Sequence, residues 1–397
     1  MSTARNDIRE LLFALLRSAL WGAPLPVSRL DGASCAALME EARRQTVDGL
    51  VCGTLIGGGV RLEKYDAIEA YSTLGTIRQQ NETVDEVLHA LCRLLRDGGV
   101  AFTVMKGQTV GAYYPHPHDR VSGDVDFYCP PESVEKAKET VIHTWQAELE
   151  ESDVEKHVSF MHGGVDFELH TFLNDFCSRD NQCFFDEATM QARTGTVDVA
   201  GVQVPVFEPA FNLAFTFVHL YMHLQELGVG LRQFCDVAVL CHTFRGQETG
   251  DRSQNTCPRT SHHAPRTSKD GPLESSTLSE ELENILRRLG YLRAFKAVGA
   301  ILVDSLGLPE EEFPFRITRK DRKYAGYILD IVFKRGNFGK YGRQNEVRSG
   351  LLYYLEATWV KLSHYIRLYP LSPKENRAML TAELPRRIIH TICKKND

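Results

Sequence analysis

The sequence lacks the features that mark several large classes of protein. No stretch approaches the roughly 20 apolar residues that a helix needs to cross a bilayer. The 10 cysteines include no Cys-x-x-Cys pair and follow no regular spacing, so neither a zinc site nor a disulfide scaffold is indicated. There is no internal repeat. These absences argue against helical membrane proteins, small zinc-bound modules and repeat arrays.

The chain also has little net charge of either sign. The 46 basic and 52 acidic side chains leave a net charge of −6 on 397 residues, of which 43% are hydrophobic. This composition is typical of globular proteins, and the length predicts about two to three domains. The mild acidity argues against a large phosphate-binding surface, so non-specific nucleic-acid binding is not favoured.

The N-terminus and the cysteines favour a cytoplasmic location. Arg9, Glu10 and Arg17 interrupt the first apolar stretch at helical spacing, which neither a signal-peptide core nor a spanning helix tolerates. Several cysteines, such as Cys92 and Cys235, lie in apolar helical patterns where a free thiol behaves as a small hydrophobic residue. We therefore expect a reducing compartment and no membrane contact.

The apolar pattern changes along the chain and predicts three regions. Residues 1–97 carry apolar stripes at helical spacing, residues 98–207 mix short strands with helices, and residues 208–397 return to helix. Within the last region, residues 248–276 are polar and rich in helix breakers, so we expect a disordered insertion there. The fold class expected is α+β, with helical regions on both sides of the part that contains strands.

The middle region carries a regular series of strand and helix patterns. Gly163-Gly164, between two alternating runs, indicates a two-residue hairpin. Further on, Thr277 with Glu280 fits a capping box at the start of a helix. The predicted order is a strand at 100–105, a helix at 108–114, a strand at 123–129, a helix at 132–145, and strands at 158–162 and 165–170.

The most informative segment is Gly123-Asp124-Val125-Asp126-Phe127. Because side chains alternate along a strand, Asp124 and Asp126 share one face while the apolar residues point into a core. Two adjacent carboxylates repel each other, so such a pair is retained mainly where a cation neutralises it, and Mg²⁺ prefers oxygen ligands of this kind. The alternative interpretation is the solvated face of an edge strand.

A two-metal centre for phosphoryl transfer needs a further carboxylate, which helps to hold the second ion and to deprotonate the attacking hydroxyl. Asp166 and Glu168 lie two apart on the strand predicted at 165–170, so one face of that strand can supply it. His170 shares a face with Glu168. It is placed to orient that carboxylate, to contact a phosphate, or to make only a structural hydrogen bond.

The motifs, taken in order, resemble a known family. The chain carries a Lys-Gly after a strand, then an Arg, a Gly-Asp-x-Asp on a strand and a Glu-x-His on a later strand. These residues are Lys106, Gly107, Arg120, Gly123, Asp124, Asp126, Glu168 and His170. Over residues of about 100–175, the set resembles the uncharacterised nucleotidyltransferase family of the polymerase beta-like nucleotidyltransferase superfamily. The resemblance extends more loosely to Gly230-Leu231-Arg232 and Asp236.

The resemblance implies a minimal nucleotidyltransferase fold, a small mixed sheet with helices, as the catalytic core over 98–207. It implies that Asp124, Asp126 and Glu168 bind Mg²⁺ or Mn²⁺ and form the catalytic centre. The nucleotide would then lie near a second set of residues, namely Lys106, Gly107, Arg120, Gly123, His170 and Arg232. One departure is Gln108, which stands where the superfamily usually has serine or glycine, so a common phosphate contact is missing.

Several of these residues have a structural alternative. Lys106 is equally well explained as a solvated lysine at a strand end, and Arg120 as a partner of the acidic strand. Arg232 lies one helical turn from Asp236, at the spacing of a salt bridge.

Two further patterns favour structural roles. His219 and His223 lie four apart on an otherwise apolar helix face, which indicates helix packing rather than metal binding. A basic cluster with interleaved aromatic residues at 316–343 is compatible with an anionic acceptor such as RNA, although such charge runs are commonly solvated helix faces.

The function expected is Mg²⁺-dependent transfer of a nucleoside monophosphate from an NTP to an acceptor hydroxyl, with release of pyrophosphate. Small molecules, peptides or proteins, and RNA ends are all open as acceptors. One alternative is a catalytically silent nucleotide-binding regulatory module on the same fold, against which the close carboxylates argue. The other is a helical interaction protein with an incidental acidic strand, which would bind no nucleotide in a metal-dependent manner.

Overall fold

A computed structural model describes residues 2–151, 157–249, 277–337 and 351–385. Within this part the chain is α+β, as predicted, with helices towards both ends and strands in the middle. The segment at 248–276, expected to be a disordered insertion, lies outside the described residues except for its first two, which are helical.

Four helices precede the first strand. They are α1 (Ser2–Trp21), α2 (Gly32–Arg44), α3 (Asp48–Gly57) and α4 (Lys64–Asp97). Asp31 caps α2 by accepting a hydrogen bond from the backbone N–H of Ser34. α4 buries an apolar stripe that includes Leu88 and Leu91 against the strands that follow.

A five-stranded mixed sheet forms the centre of the described structure. Its strands are β1 (Thr103–Met105), β2 (Val125–Tyr128), β3 (Glu150–Glu151), β4 (His157–His162) and β5 (Val165–His170), in the order β1-β2-β5-β4-β3. The β2–β5 pair is parallel, and the other pairs of this sheet are antiparallel. β4 and β5 form the hairpin that Gly163-Gly164 predicts.

Two strands are shorter than their sequence patterns predict. The strand expected at 100–105 begins at Thr103, and the strand expected at 123–129 begins at Val125. Asp124 therefore lies in the preceding loop and is exposed, whereas Asp126 is buried on the strand. The helices α5 (Gly107–Gly111) and α6 (Pro131–Trp145) follow β1 and β2 near their predicted positions.

Besides the short strand β3, three further elements are additional to the predicted ones. They are α7 (Arg179–Gln191) and a two-stranded antiparallel sheet of β6 (Thr194–Val199) and β7 (Val202–Phe207). The two strands bury valines such as Val197 and Val204 in the same apolar cluster as α4. Gly195 and Pro205 weaken the strand pattern in the sequence, because both residues are unfavourable inside strands.

Seven further α-helices follow β7 in the described part of the chain. They are α8 (Pro209–Glu226), α9 (Leu231–Thr249), α10 (Leu278–Leu289), α11 (Leu292–Asp304), α12 (Arg319–Arg335), α13 (Leu351–Arg367) and α14 (Pro373–Ala378). Pro209 occupies the first turn of α8, where a missing N–H costs little. Thr277 and Glu280 form the predicted capping box at the start of α10.

Two hydrophobic clusters hold these elements together. One packs the apolar face of the five-stranded sheet, with Phe127 and Phe167 at its centre, against α4 and α6. The other joins α1 and α3 to α8, α9, α11 and α12, so helices from both ends of the described chain share one core. The division into three regions at 97 and 207 stays a prediction.

The basic residues at 316–343 are partly engaged within the structure. Arg322 donates to Asp304 at 2.9 Å, and Arg335 is buried. Lys340 and Arg343 lie outside the described residues. Among the described helices, none combines the length and the apolar character that a membrane crossing requires.

The close approach of α3 to the loop before β2 generates a stability prediction. A Cβ atom on Gly49 of α3 would lie 2.3 Å from the backbone oxygen of Asp119, whereas one on Gly75 of α4 would meet nothing within 4 Å. We expect Gly49→Ala to lower the free energy of unfolding by about 1–3 kcal/mol through overpacking. We expect Gly75→Ala to raise it by about 0.5–1 kcal/mol. Chemical denaturation checks both values, and equal stability of the two variants would contradict the packing described.

Candidate nucleotide and metal site

Two neighbouring strands and the loop before one of them bring the predicted carboxylates together. The register pairs Met105 with Asp126 across β1 and β2, and Asp126 with Glu168 across β2 and β5. Asp126 and Glu168 are therefore neighbours on one face of the sheet, and Asp124 reaches them from the loop before β2. One oxygen from each of Asp124, Asp126 and Glu168 lies within 4.8 Å of the others. This spacing fits carboxylate ligands around a divalent cation.

Lys106 brings a positive charge to this cluster. It follows β1 with a φ of 53°, and Gly107 follows it with a φ of 45°, so two consecutive residues have positive φ angles in this turn. Nζ of Lys106 lies 3.1 Å from Oδ2 of Asp126. Burial alone would raise the pKa of Asp126, but Lys106 and a hydrogen bond from His170 hold that pKa well below its usual range. Asp126 is therefore ionised at neutral pH.

Asp124 is shifted in the opposite direction. Although the residue is exposed, neighbouring atoms crowd its carboxyl group, and this desolvation together with repulsion by Asp126 raises its pKa. Lys106 opposes the shift without cancelling it. The two adjacent carboxyl groups therefore differ in proton affinity, and a bound cation would reduce the repulsion between them.

His170 links two of the carboxylates. Its Nε2 lies 2.8 Å from Oδ1 of Asp126 and 3.3 Å from Oε2 of Glu168. Burial lowers the pKa of an imidazole, yet hydrogen bonds to these two carboxylates outweigh burial and raise the pKa of His170. The contact with Glu168 agrees with an orienting role for this histidine.

Two histidines of α8 lie beside Lys106. Nε2 of His219 is 3.4 Å from Nζ of Lys106 and 3.0 Å from Nε2 of His223. Burial and the positive charge of Lys106 lower the pKa of His219 well below its usual range and that of His223 to about 4. Both rings are therefore neutral at pH 7. The sequence pattern predicts helix packing for this pair, and the structure adds a direct contact with the candidate site.

Arg120 is placed differently from its sequence-based interpretations. Its Nε and Nη2 donate to the two carboxylate oxygens of Asp236 on α9 at 2.7 and 2.8 Å, and the Tyr114 hydroxyl donates to the same carboxylate. The ion pair is buried, with 5% and 7% of the two side chains exposed. Arg120 is therefore held against α9 instead of pairing with the acidic strand or standing free for a phosphate.

For Arg232, the structural alternative was a salt bridge to Asp236 one helical turn away. The structure gives that ion pair to Arg120 instead. Nη1 of Arg232 donates to the backbone oxygen of Val121 at 2.8 Å. The same nitrogen lies 4.0 Å from the position that a Cβ on Gly123 would take. Arg232 thus supports the loop that carries Asp124.

His157 is the neighbour of the site that the sequence motifs do not include. Its Nε2 lies 3.6 Å from Oε1 of Glu168. The hairpin itself contains the signal, because a two-residue turn at Gly163-Gly164 fixes the register and sets His157 opposite His170. A predicted hairpin therefore suffices to place this second histidine beside Glu168.

Comparison with known protein families matches residues 31–255, more than half of the chain, to the family described as "Uncharacterised nucleotidyltransferase". The chain belongs to this nucleotidyltransferase family. The matched residues run from α2 past the end of α9 and include every residue of the candidate site. The family therefore covers the helices that support the site as well as the strands that carry it.

Among solved structures, the crystal structure of an antigenic nucleotidyltransferase-like protein from Paracoccidioides brasiliensis is similar to this chain at 15% identity, with a TM-score of 0.30. The match covers 40% of this chain and 76% of that chain. No curated protein matches the chain. Membership of the family rests on the sequence match, since a structural similarity this low does not establish a relationship.

The neutral histidine pair makes stability depend on pH. The pKa of His223 falls from 6.5 to about 4 on folding. Below pH 6.5 the unfolded chain binds a proton that the folded chain does not, so stability is present above this pH and is lost as the pH falls towards 4. We expect His223 to lower the free energy of unfolding by about 1.4 kcal/mol per pH unit in this window.

Urea denaturation between about pH 7 and pH 5 measures this dependence in the wild type, in His223→Gln and in the exposed control His143→Gln. We expect a shallower slope in His223→Gln and an unchanged slope in the control. Equal slopes in all three proteins would contradict a buried neutral His223.

Proposed function

We propose that this protein is a Mg²⁺- or Mn²⁺-dependent nucleotidyltransferase, which moves a nucleoside monophosphate from an NTP to an acceptor hydroxyl and releases pyrophosphate. The observation that carries the proposal is the convergence of Asp124, Asp126 and Glu168 beside the Lys106 ammonium, in a chain of a nucleotidyltransferase family. Like charges this close are unfavourable unless a cation neutralises them. Cation binding therefore explains the cluster better than a contribution to the stability of the fold does.

Each carboxylate has a distinct part in this proposal. Asp126, ionised and fixed on β2, is the main cation ligand, and Asp124 completes the pair from its loop. Glu168 lies beside both and helps to remove the proton from the acceptor hydroxyl. When bound, the divalent ion supplies charge neutralisation to the phosphates and lowers the pKa of the attacking hydroxyl.

The transfer itself is an in-line displacement. The acceptor oxygen forms a bond to the α-phosphorus, while the bond from that phosphorus to the leaving pyrophosphate oxygen breaks. The acceptor proton passes to Glu168 and then to solvent. Lys106 stabilises negative charge on a phosphate oxygen as a point charge. Gly107 and Gly123 border the cluster without side chains, which leaves the backbone accessible to the nucleotide.

Arg120, Arg232 and His170 are positioning residues in this proposal. Arg120 fixes the start of the loop before β2 through its buried ion pair with Asp236, and Arg232 binds the Val121 backbone oxygen further along the same loop. α9 thereby sets the place of Asp124. His170 orients Asp126 and Glu168 through Nε2.

The acceptor belongs, in this proposal, to one of three classes: a small molecule, a peptide or protein, or an RNA end. The reaction takes place in the cytoplasm. A reducing compartment is supported by the described cysteines, none of which is in a disulfide and six of which are buried. Burial raises the pKa of Cys52 to about 12, so this thiol stays protonated and unreactive.

Asp126→Asn tests the cation ligand directly. We expect it to weaken metal-dependent nucleotide binding by about tenfold or more, because a neutral amide replaces an ionised carboxylate ligand. Asp166→Asn is the matched control, since Asp166 is exposed on β5 and lies outside the cluster. Calorimetric titration with each of the common NTPs, in Mg²⁺ or Mn²⁺ and again in chelator, measures the metal-dependent part.

Thermal unfolding of both variants establishes that they fold. Identical metal-dependent affinity in the wild type and Asp126→Asn would overturn the proposal. Wild-type protein without any metal-dependent nucleotide binding would instead favour a helical interaction protein.

A transfer assay distinguishes an enzyme from a silent binding module. The protein is incubated with Mg²⁺, cell extract and NTPs that carry radioactive phosphorus at the α-position. The α-phosphorus is part of the nucleoside monophosphate that is transferred, so we expect label on an acceptor in the wild type. We expect none with Asp126→Asn, because that variant lacks the proposed main cation ligand. Mass spectrometry of the labelled product then identifies the acceptor. Nucleotide binding without label transfer in any extract would indicate a regulatory module on this fold.

A further inference from the structure

A second group of potential metal ligands adjoins the three carboxylates. The β4–β5 register sets His157 directly opposite His170, and Glu168 lies two residues before His170 on the same face of the sheet. The Nε2 atoms of His157 and His170 lie 3.6 and 3.3 Å from the two different oxygens of Glu168. One ligand atom from each of these three residues lies within 4.8 Å of the others.

These distances are close to those between ligands of a single ion. With bonds of about 2.1 Å to each ligand, neighbouring ligand atoms in a tetrahedral or octahedral site lie about 3.0–3.4 Å apart. The contact from His170 to one Glu168 oxygen is within this range. The contact from His157 is to the other oxygen, so a single ion between the histidines requires Glu168 to bind through both oxygens or its side chain to turn slightly. All three side chains are half-buried, so they are partly shielded without being closed to solvent.

The donor atoms of this group differ from those of the first cluster. Asp124, Asp126 and Glu168 offer oxygen alone, which suits Mg²⁺ and Mn²⁺, whereas imidazole nitrogens favour zinc and other transition metals. Two histidines and one glutamate leave a fourth position of a tetrahedral ion open for water or substrate. The two groups share one residue, Glu168.

We propose that His157, Glu168 and His170 form a second cation site, selective for Zn²⁺ and similar transition metals over Mg²⁺, which shares Glu168 with the nucleotide-bound cation. The proposal rests on the proposed function for the first cation and on the hairpin geometry for the second. With a cation in the second site, Nε2 of His170 would bind that ion and give up its hydrogen bond to Asp126. Glu168 is the ligand that the two positions have in common. Because the second site needs no nucleotide, it can be measured in the free protein.

The test measures Zn²⁺ binding by calorimetry and Co²⁺ binding by visible absorption, both without nucleotide. All proteins carry Cys183→Ser, which removes the exposed thiol found among the described cysteines. We expect His157→Ala to weaken Zn²⁺ binding by about tenfold or more and to change the Co²⁺ spectrum. His143→Ala, an exposed histidine on α6, is the matched control and should bind as the wild type does.

Asp124→Ala separates the two cation sites. It should keep Zn²⁺ binding while it weakens metal-dependent nucleotide binding, and His157→Ala should show the reverse pattern. The wild-type Co²⁺ spectrum provides a second measurement that does not depend on the folding of any variant. A wild-type Co²⁺ spectrum that shows only oxygen ligation, or equal Zn²⁺ affinity in His157→Ala and His143→Ala, would overturn the second site alone. Zn²⁺ binding in a wild-type protein that binds no nucleotide would overturn the proposed function and leave the second site standing.

Discussion

The mutual repulsion of Asp124, Asp126 and Glu168 is the constraint around which the surrounding structure is arranged. Lys106 and His170 offset part of this repulsion, at 3.1 and 2.8 Å from the two oxygens of Asp126. The groups involved come from β2, β5, the loop before β2 and the turn after β1, so the balance exists only when these elements are in register. The protein offsets this repulsion only in part, and a bound cation would neutralise the negative charge that remains.

The loop between α5 and β2 is held by one helix that precedes it in the sequence and one that follows it. Asn81 of α4 donates to the backbone oxygens of His118 and Arg120, while α9 supplies Asp236 and Arg232 from the other side. These contacts give a physical reason for a family match that includes α4 and α9 as well as the strands of the site. β2 and β5 carry Asp126 and Glu168, and the helices fix the loop that carries the exposed Asp124.

Several parts of the fold and the site follow from local patterns in the sequence. The hairpin follows from Gly163-Gly164 between alternating runs, and strand alternation separates Asp126 from its apolar neighbours on β2. That Asp126 lies next to Glu168 depends on the pairing of β2 with β5. β6 and β7 are not evident, because Gly195 and Pro205 interrupt a pattern that burial against α4 nevertheless makes stable. The position of Asp124 before β2 is also not evident, since strand ends depend on pairing with β1 and β5.

Residue type, spacing along a strand and the order of motifs are properties of the chain itself, and they sufficed to select the carboxylates and to indicate the family. The partners of Arg120 and Lys106 are not of this kind. Arg120 meets Asp236 across 116 positions of sequence, and Lys106 meets His219 across 113. No local periodicity encodes such pairs, because they form only when α8 and α9 pack against the turn and the loop of the sheet. Tertiary packing therefore decided that Arg120 holds the loop before β2 in a buried ion pair with α9, whereas Lys106 faces the carboxylates.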